Sequence, residues 1–181
     1  MRISDFDVLI VPTLGGAGPD DWPSRWLAKL STARIVAPAD PGSANAADWS
    51  RAVAEAAGAA VRPILFVGHG LGAAAVAGAA FALGGADVRG AFLVAPPDAA
   101  GLERIVGPGW TLPRAPLPWP SVVVASRSHA HSEYAAAQAL AAEWRAELID
   151  AGAAGALDAA SGHGPWPEGL MRLAAFIRTL S

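Results

Sequence analysis

Four runs of apolar residues with no polar interruption limit what this chain can fold into: Val8-Leu9-Ile10-Val11, Ile64-Leu65-Phe66-Val67, Ala91-Phe92-Leu93-Val94 and Val122-Val123-Val124. A strand with one wet face alternates apolar and polar side chains. A strand that is apolar throughout needs cover on both faces, which is the situation of a parallel sheet between helices. Two shorter runs, Arg34-Ile35-Val36 and Glu147-Leu148-Ile149, bring the expected sheet to about six strands. Helical patterns fill the spaces between. One runs from about Asp21 to Leu30, with Trp22 and Trp26 four apart, and another from Ala46 to Ala60 behind Asn45 as a cap. An alanine-rich stretch reaches Leu83, and two more helices cover Glu133 to Trp144 and Glu168 to Leu180. The alternation predicts one α/β domain over residues 1–181, its mostly parallel sheet carrying helices on both faces. Only Gly107 to Pro120 breaks the rhythm. Its five prolines lack N–H donors, so it is expected to be an ordered, irregular loop.

Composition narrows the function classes. Hydrophobic residues make up 53% and charged residues 16%, enough apolar material for a core and too little charge for a disordered chain. The net charge of −3 and the absence of any Lys/Arg cluster argue against a nucleic-acid partner. There is no cysteine, which excludes disulfides, thiolate metal sites and cysteine nucleophiles. Met1 to Asp7 lacks a signal pattern, and the weakly polar run from Gly70 to Leu83 is too short to span a bilayer. The expectation is a cytoplasmic chain with no membrane segment.

In an open parallel sheet, ligands meet the C-terminal ends of the strands. Those ends carry Thr13 to Gly18, His69 to Gly72, Pro96 to Asp98, Ser126 to His131 and Ala151 to His163. Gly68-His69-Gly70-Leu71-Gly72 has the frame of a nucleophile elbow, G-x-S-x-G, on a strand-to-helix turn. Both flanking glycines are present. The centre, Gly70, has no side chain with which to attack. Glycine also takes the strained elbow angles without a Cβ clash, so Gly70 keeps the turn and removes the chemistry. The same residues fit a plain tight turn. They also fit the dinucleotide fingerprint through Gly68, Gly70 and Ala73, but that motif belongs on a first strand, and Asp98 is far along for its acid. No cofactor is expected.

Further segments carry a family resemblance over nearly the whole chain. They are Val11-Pro12-Thr13-Leu14-Gly15-Gly16 with Asp21-Trp22, the elbow segment, Leu93-Val94-Ala95-Pro96-Pro97-Asp98, Pro116-Leu117-Pro118-Trp119-Pro120-Ser121, Ala125-Ser126-Arg127 and Ser161-Gly162-His163-Gly164-Pro165-Trp166-Pro167. With these the chain resembles the small serine hydrolases typified by retinoblastoma-binding protein 9 and the bacterial YdeN-like proteins. The resemblance implies an α/β-hydrolase fold and, in the family, action on small esters or peptide-like substrates. Carried over position by position, the family's serine falls on Gly70, its acid on His129 and its histidine on Ala156, while a histidine of its first loop is Asp21 here. The oxyanion hole implied by the resemblance uses the backbone N–H of Leu71 and of Thr13 or Leu14. His69, Trp119 and His163 are expected around the same pocket. Loss of a triad costs about 10⁶ in turnover, with a residual of about 10³–10⁴ over water from the hole and binding.

The leading expectation is therefore a degenerate hydrolase that binds a small molecule or an active homologue. Two alternatives remain open. Ser126, Ser128, Ser132 or Ser161 could serve as a relocated nucleophile with His129, His131 or His163 as base, although serines also cap turns and helices, Ser132 ahead of Glu133 in particular. His129 and His131, with Asp98 or Asp158, could hold a transition metal.

Overall fold

A computed structural model describes residues 1–180. The strands are β1 (Asp7–Val11), β2 (Ala33–Ile35), β3 (Ile64–His69), β4 (Val88–Val94), β5 (Ser121–Ala125) and β6 (Glu147–Asp150). The helices are α1 (Trp22–Lys29), α2 (Ala46–Gly58), α3 (Leu71–Ala79), α4 (Ala99–Val106), α5 (Tyr134–Trp144) and α6 (Pro167–Ile177). The strands form one sheet in the order β2-β1-β3-β4-β5-β6, and every adjacent pair is parallel. This is an α/β-hydrolase-type arrangement.

The uninterrupted apolar runs are explained by cover on both faces. Leu9, Val11, Phe66, Ala91, Leu93 and Val123 enter one core with Trp49, Val53, α3, Leu140 and Trp144. Their neighbours Val8, Ile10, Leu65, Val67, Phe92, Val94, Val122 and Val124 enter the other, with Trp22, Trp26, Leu173 and Phe176. Successive residues point to opposite sides, so α1 and α6 close one face while α2, α3 and α5 close the other.

Asn45 caps α2 as expected, its side chain accepting the Ala47 N–H at 2.9 Å. Ser132 does not cap α5. Glu133 is the N-cap residue, and the Ser132 hydroxyl turns toward the Glu133 carbonyl. Helix α4 has no counterpart in the sequence reading. It is only eight residues long and follows Pro96-Pro97, and it is started by Asp98, whose Oδ1 accepts the Gly101 N–H at 2.7 Å. Among the described residues no helix is long and apolar enough to cross a membrane.

The chain leaves β1 for β2 on one side and then crosses to β3 on the other. The β1 and β3 ends therefore flank the switch point of the sheet, where a crevice between outgoing loops arises. Thr13 follows one of these strands and Gly70 the other.

Candidate functional site

Gly70 sits at the head of α3 with φ 55° and ψ −121°, a backbone conformation that side chains rarely adopt. Its N–H is held by the Val94 carbonyl at 2.9 Å. The turn thus has the geometry of an elbow with nothing on it. The space a side chain would use is already taken. A Cβ built on Gly70 runs into Thr13 Oγ1 and comes 2.9 Å from Thr13 Cβ. The flanking glycines are required by packing. A Cβ on Gly68 would lie 2.6 Å from Ala73 Cα, and one on Gly72 would strike the Val11 and Pro12 carbonyls.

The N–H of Leu71, expected to serve an oxyanion, donates to Thr13 Oγ1 at 3.4 Å. The threonine hydroxyl therefore occupies both the space beside Gly70 and a donor of the expected hole. Leu14 is half-buried beside it.

His129, the residue onto which the resemblance carries the family's acid, donates Nε2–H to the Ala95 carbonyl at 3.1 Å, and its Nδ1 faces the His131 N–H at 3.5 Å. Burial pushes its pKa below the ordinary histidine value, helped by His131 and His69 and opposed by the Ala95 carbonyl and Asp98. A neutral ring with both nitrogens engaged is a strut. Ala95 itself has φ 48°, a strained angle for a residue with a Cβ.

Ala156 lies in the loop after β6, and that loop is fastened from several sides. His69 donates Nε2–H to the Ala156 carbonyl at 2.8 Å. The His69 ring is buried against Trp22, and burial lowers its pKa despite the Ala156 carbonyl and the charges of Asp158 and Asp21. Trp22 Nε1–H donates to the Leu157 carbonyl at 2.9 Å, and Leu157 is strained at φ 54°. Asp21 accepts the Ala159 N–H through Oδ1 and the Gly18 N–H through Oδ2, both at 2.9 Å. These roles for Asp21 and Trp22 were not anticipated from the sequence.

Three of the candidate replacement serines, Ser126, Ser128 and Ser161, are engaged in the same fastening. Ser126 Oγ accepts the Ala154 N–H at 3.0 Å, and Ser128 Oγ accepts the Gly155 N–H at 2.9 Å. The Ser161 hydroxyl donates to Asp158 Oδ1 at 2.6 Å. Burial works against the Asp158 carboxylate, yet the Ser161 hydroxyl and amide hold its pKa below the ordinary value. Among the described residues no hydrogen bond joins the hydroxyl of Ser126, Ser128, Ser132 or Ser161 to an imidazole. His163 Nδ1 meets the Ser161 backbone carbonyl at 3.0 Å, not a hydroxyl.

The metal reading loses its ligands to the fold. His129 and His131 stand edge-on with ring centres 5.9 Å apart. Asp98 spends both oxygens on the Gly101 and Glu133 amides. Among the described residues no group of three or more His, Asp or Glu side chains converges. Trp119 is packed into the core against Phe66, its Nε1 buried without an acceptor. Five surface cavities are lined by residues other than Thr13, Gly70, Leu71, His129 and Ala156.

The model of a known family, described as serine hydrolase, matches residues 8–175, nearly the whole sheet and its helices. The chain belongs to the serine hydrolase family. Among solved structures this serine hydrolase family member is similar to a YdeN-like hydrolase from Pectobacterium atrosepticum, with 28% identity and a TM-score of 0.87 over 96% of this chain and 92% of that one. The ydeN product of B. subtilis is similar at 17% identity and a TM-score of 0.76, covering 96% of this chain and 99% of that one. An esterase domain from Rhodothermus marinus shares the fold at 15% identity and a TM-score of 0.68, covering 99% and 89%. A search of curated proteins found no match.

Proposed function

We propose that this serine hydrolase family member has given up triad chemistry and keeps the hydrolase frame for binding, with a small molecule or an intact relative as its partner. One observation carries the reading. At the elbow, where the family resemblance puts the nucleophile, Gly70 offers no side chain and Thr13 fills the space beside it while taking the Leu71 N–H. The other two assigned positions agree. His129 is a neutral hydrogen-bond donor where an acid belongs, and Ala156 contributes only a backbone carbonyl.

Triad groups act as a unit, so the missing three correspond to a loss of about 10⁶ in turnover, or about 8 kcal/mol of barrier reduction. The remaining route to rate enhancement is the oxyanion hole, and in this chain Thr13 covers one of its donors.

The test is stepwise restoration. The wild-type chain is expected to hydrolyse p-nitrophenyl acetate at the background rate. The triple variant Gly70→Ser, His129→Asp, Ala156→His should stay at background because Thr13 obstructs the new serine. Adding Thr13→Gly should bring measurable turnover that is lost again on Ser-directed inhibition. Robust turnover by the wild-type chain would overturn the proposal.

A further inference from the structure

The two faces of the sheet differ in what they leave open. Between α1 and α6 lies a cavity of about 670 Å³, within the range of about 300–1,000 Å³ typical of small-molecule sites. Its floor is made by Trp26 and Trp166, whose rings stack at 5.7 Å with planes 8° apart. Leu170 and Met171 of α6 form a wall, and Met171 is 72% exposed. A second cavity of about 390 Å³ shares Leu170 and Ala174 with the first, so the apolar trough continues along α6.

The charge pattern of this trough sets it apart. The chain carries a net charge of −3, yet the charged residues lining the two joined cavities are Arg25, Lys29, Arg2 and Arg178, with no Asp or Glu. Three other cavities each include an acid: Asp87 in one, Asp98 and Glu143 in another, Glu55 in the third. Arg25 is engaged by Asp20 at 3.2 Å. Lys29, the one lysine of the chain, has no ion pair among the described residues and stands one helical turn beyond Trp26. A cation at the rim of an apolar trough is complementary to a ligand with an anionic head and an apolar body.

We propose that the α1/α6 trough is a binding site for an amphiphilic carboxylate, its apolar chain lying over Trp26, Trp166 and Leu170 and its head group paired with Lys29. The site is separate from the elbow, and the proposal stands whether or not the elbow is catalytic. The head-group pair supplies orientation, and the apolar contact supplies most of the affinity.

Calorimetric titration with decanoate below its micellar range tests it. The wild-type chain should bind one equivalent saturably. Lys29→Glu, a change on an exposed helix face, should weaken binding at least tenfold. Ala174→Trp, which fills the trough from the α6 side, should abolish it. Decyltrimethylammonium, with the same tail and the opposite charge, should bind the wild-type chain at least tenfold more weakly. Decanoate binding that ignores both substitutions, or equal binding of the cationic amphiphile, would overturn the proposal. So would a wild-type dimer in sedimentation that Ala174→Trp converts to monomer, because the trough would then be the seat of a second copy.

Discussion

The elbow and the 151–163 loop belong to the same edge of the sheet and are held by different physics. The elbow is fixed by exclusion. Its glycines are compulsory because a Cβ at Gly68 or Gly72 would drive into neighbouring backbone, and Gly70 because of its angle and of Thr13. The loop is fixed by attachment, through bonds from His69, Trp22, Asp21, Ser126 and Ser128 to its backbone. A steric frame of this kind is demanded by packing alone and needs no side chain at its centre. A loop held by side-chain fasteners depends on those polar residues staying in place.

This comparison breaks first at Gly72. Gly72→Ala puts a methyl group against two backbone carbonyls that cannot swing away, so destabilisation of about 3 kcal/mol is expected in urea unfolding. A variant as stable as wild type would remove the steric account. Gly70→Ala should cost about 2–3 kcal/mol from its positive φ and from Thr13. Thr13→Gly in the same chain should return at least about 1 kcal/mol of that, as a coupling in a double-mutant cycle. Strict additivity would mean the two positions do not meet.

On the loop side, Trp22→Phe leaves the Leu157 carbonyl without its donor and should cost about 2 kcal/mol, with faster amide exchange over 157–159 than elsewhere. The smallest effect is a pH slope. Burial depresses the His69 pKa in the folded state. As pH falls below about 6.5 the unfolded chain takes up a proton that the folded chain refuses, so stability declines with acidification and is unaffected above neutrality. The slope for one such group is at most about 1.4 kcal/mol per pH unit. His69→Gln, which retains an N–H for the Ala156 carbonyl, should flatten the acid limb measured by thermal unfolding. An unchanged limb would assign the slope to His129, whose pKa is also depressed by burial.

The same contrast explains what could be read from the sequence. The strands were visible because both faces of the sheet are covered, which leaves Val8 to Val11 and Ile64 to Val67 apolar without a break. The elbow was visible because its constraint is local: three glycines within five residues. The attachments were not, because they join residues far apart in the chain. His69 reaches Ala156 over 87 positions, and Asp21 reaches Ala159 over 138. Asp21 and Trp22 appeared in the sequence as the start of a helix and as a departure and a match within a family pattern, not as fasteners of a distant loop. Thr13 was singled out as a source of an oxyanion N–H, and the contacts of its side chain with the Leu71 N–H and the space beside Gly70 were not read from the sequence. The signal lay in Gly70 itself, since an elbow with no side chain leaves a space for something else to fill.

The most direct test of the proposed loss of the nucleophile is the intact mass of the wild-type protein after incubation with a fluorophosphonate probe. The account predicts a protein that remains unmodified under conditions that label an active serine hydrolase completely. A stoichiometric adduct would contradict it, and an adduct mapped to Thr13 would show that the nucleophile had moved across the elbow.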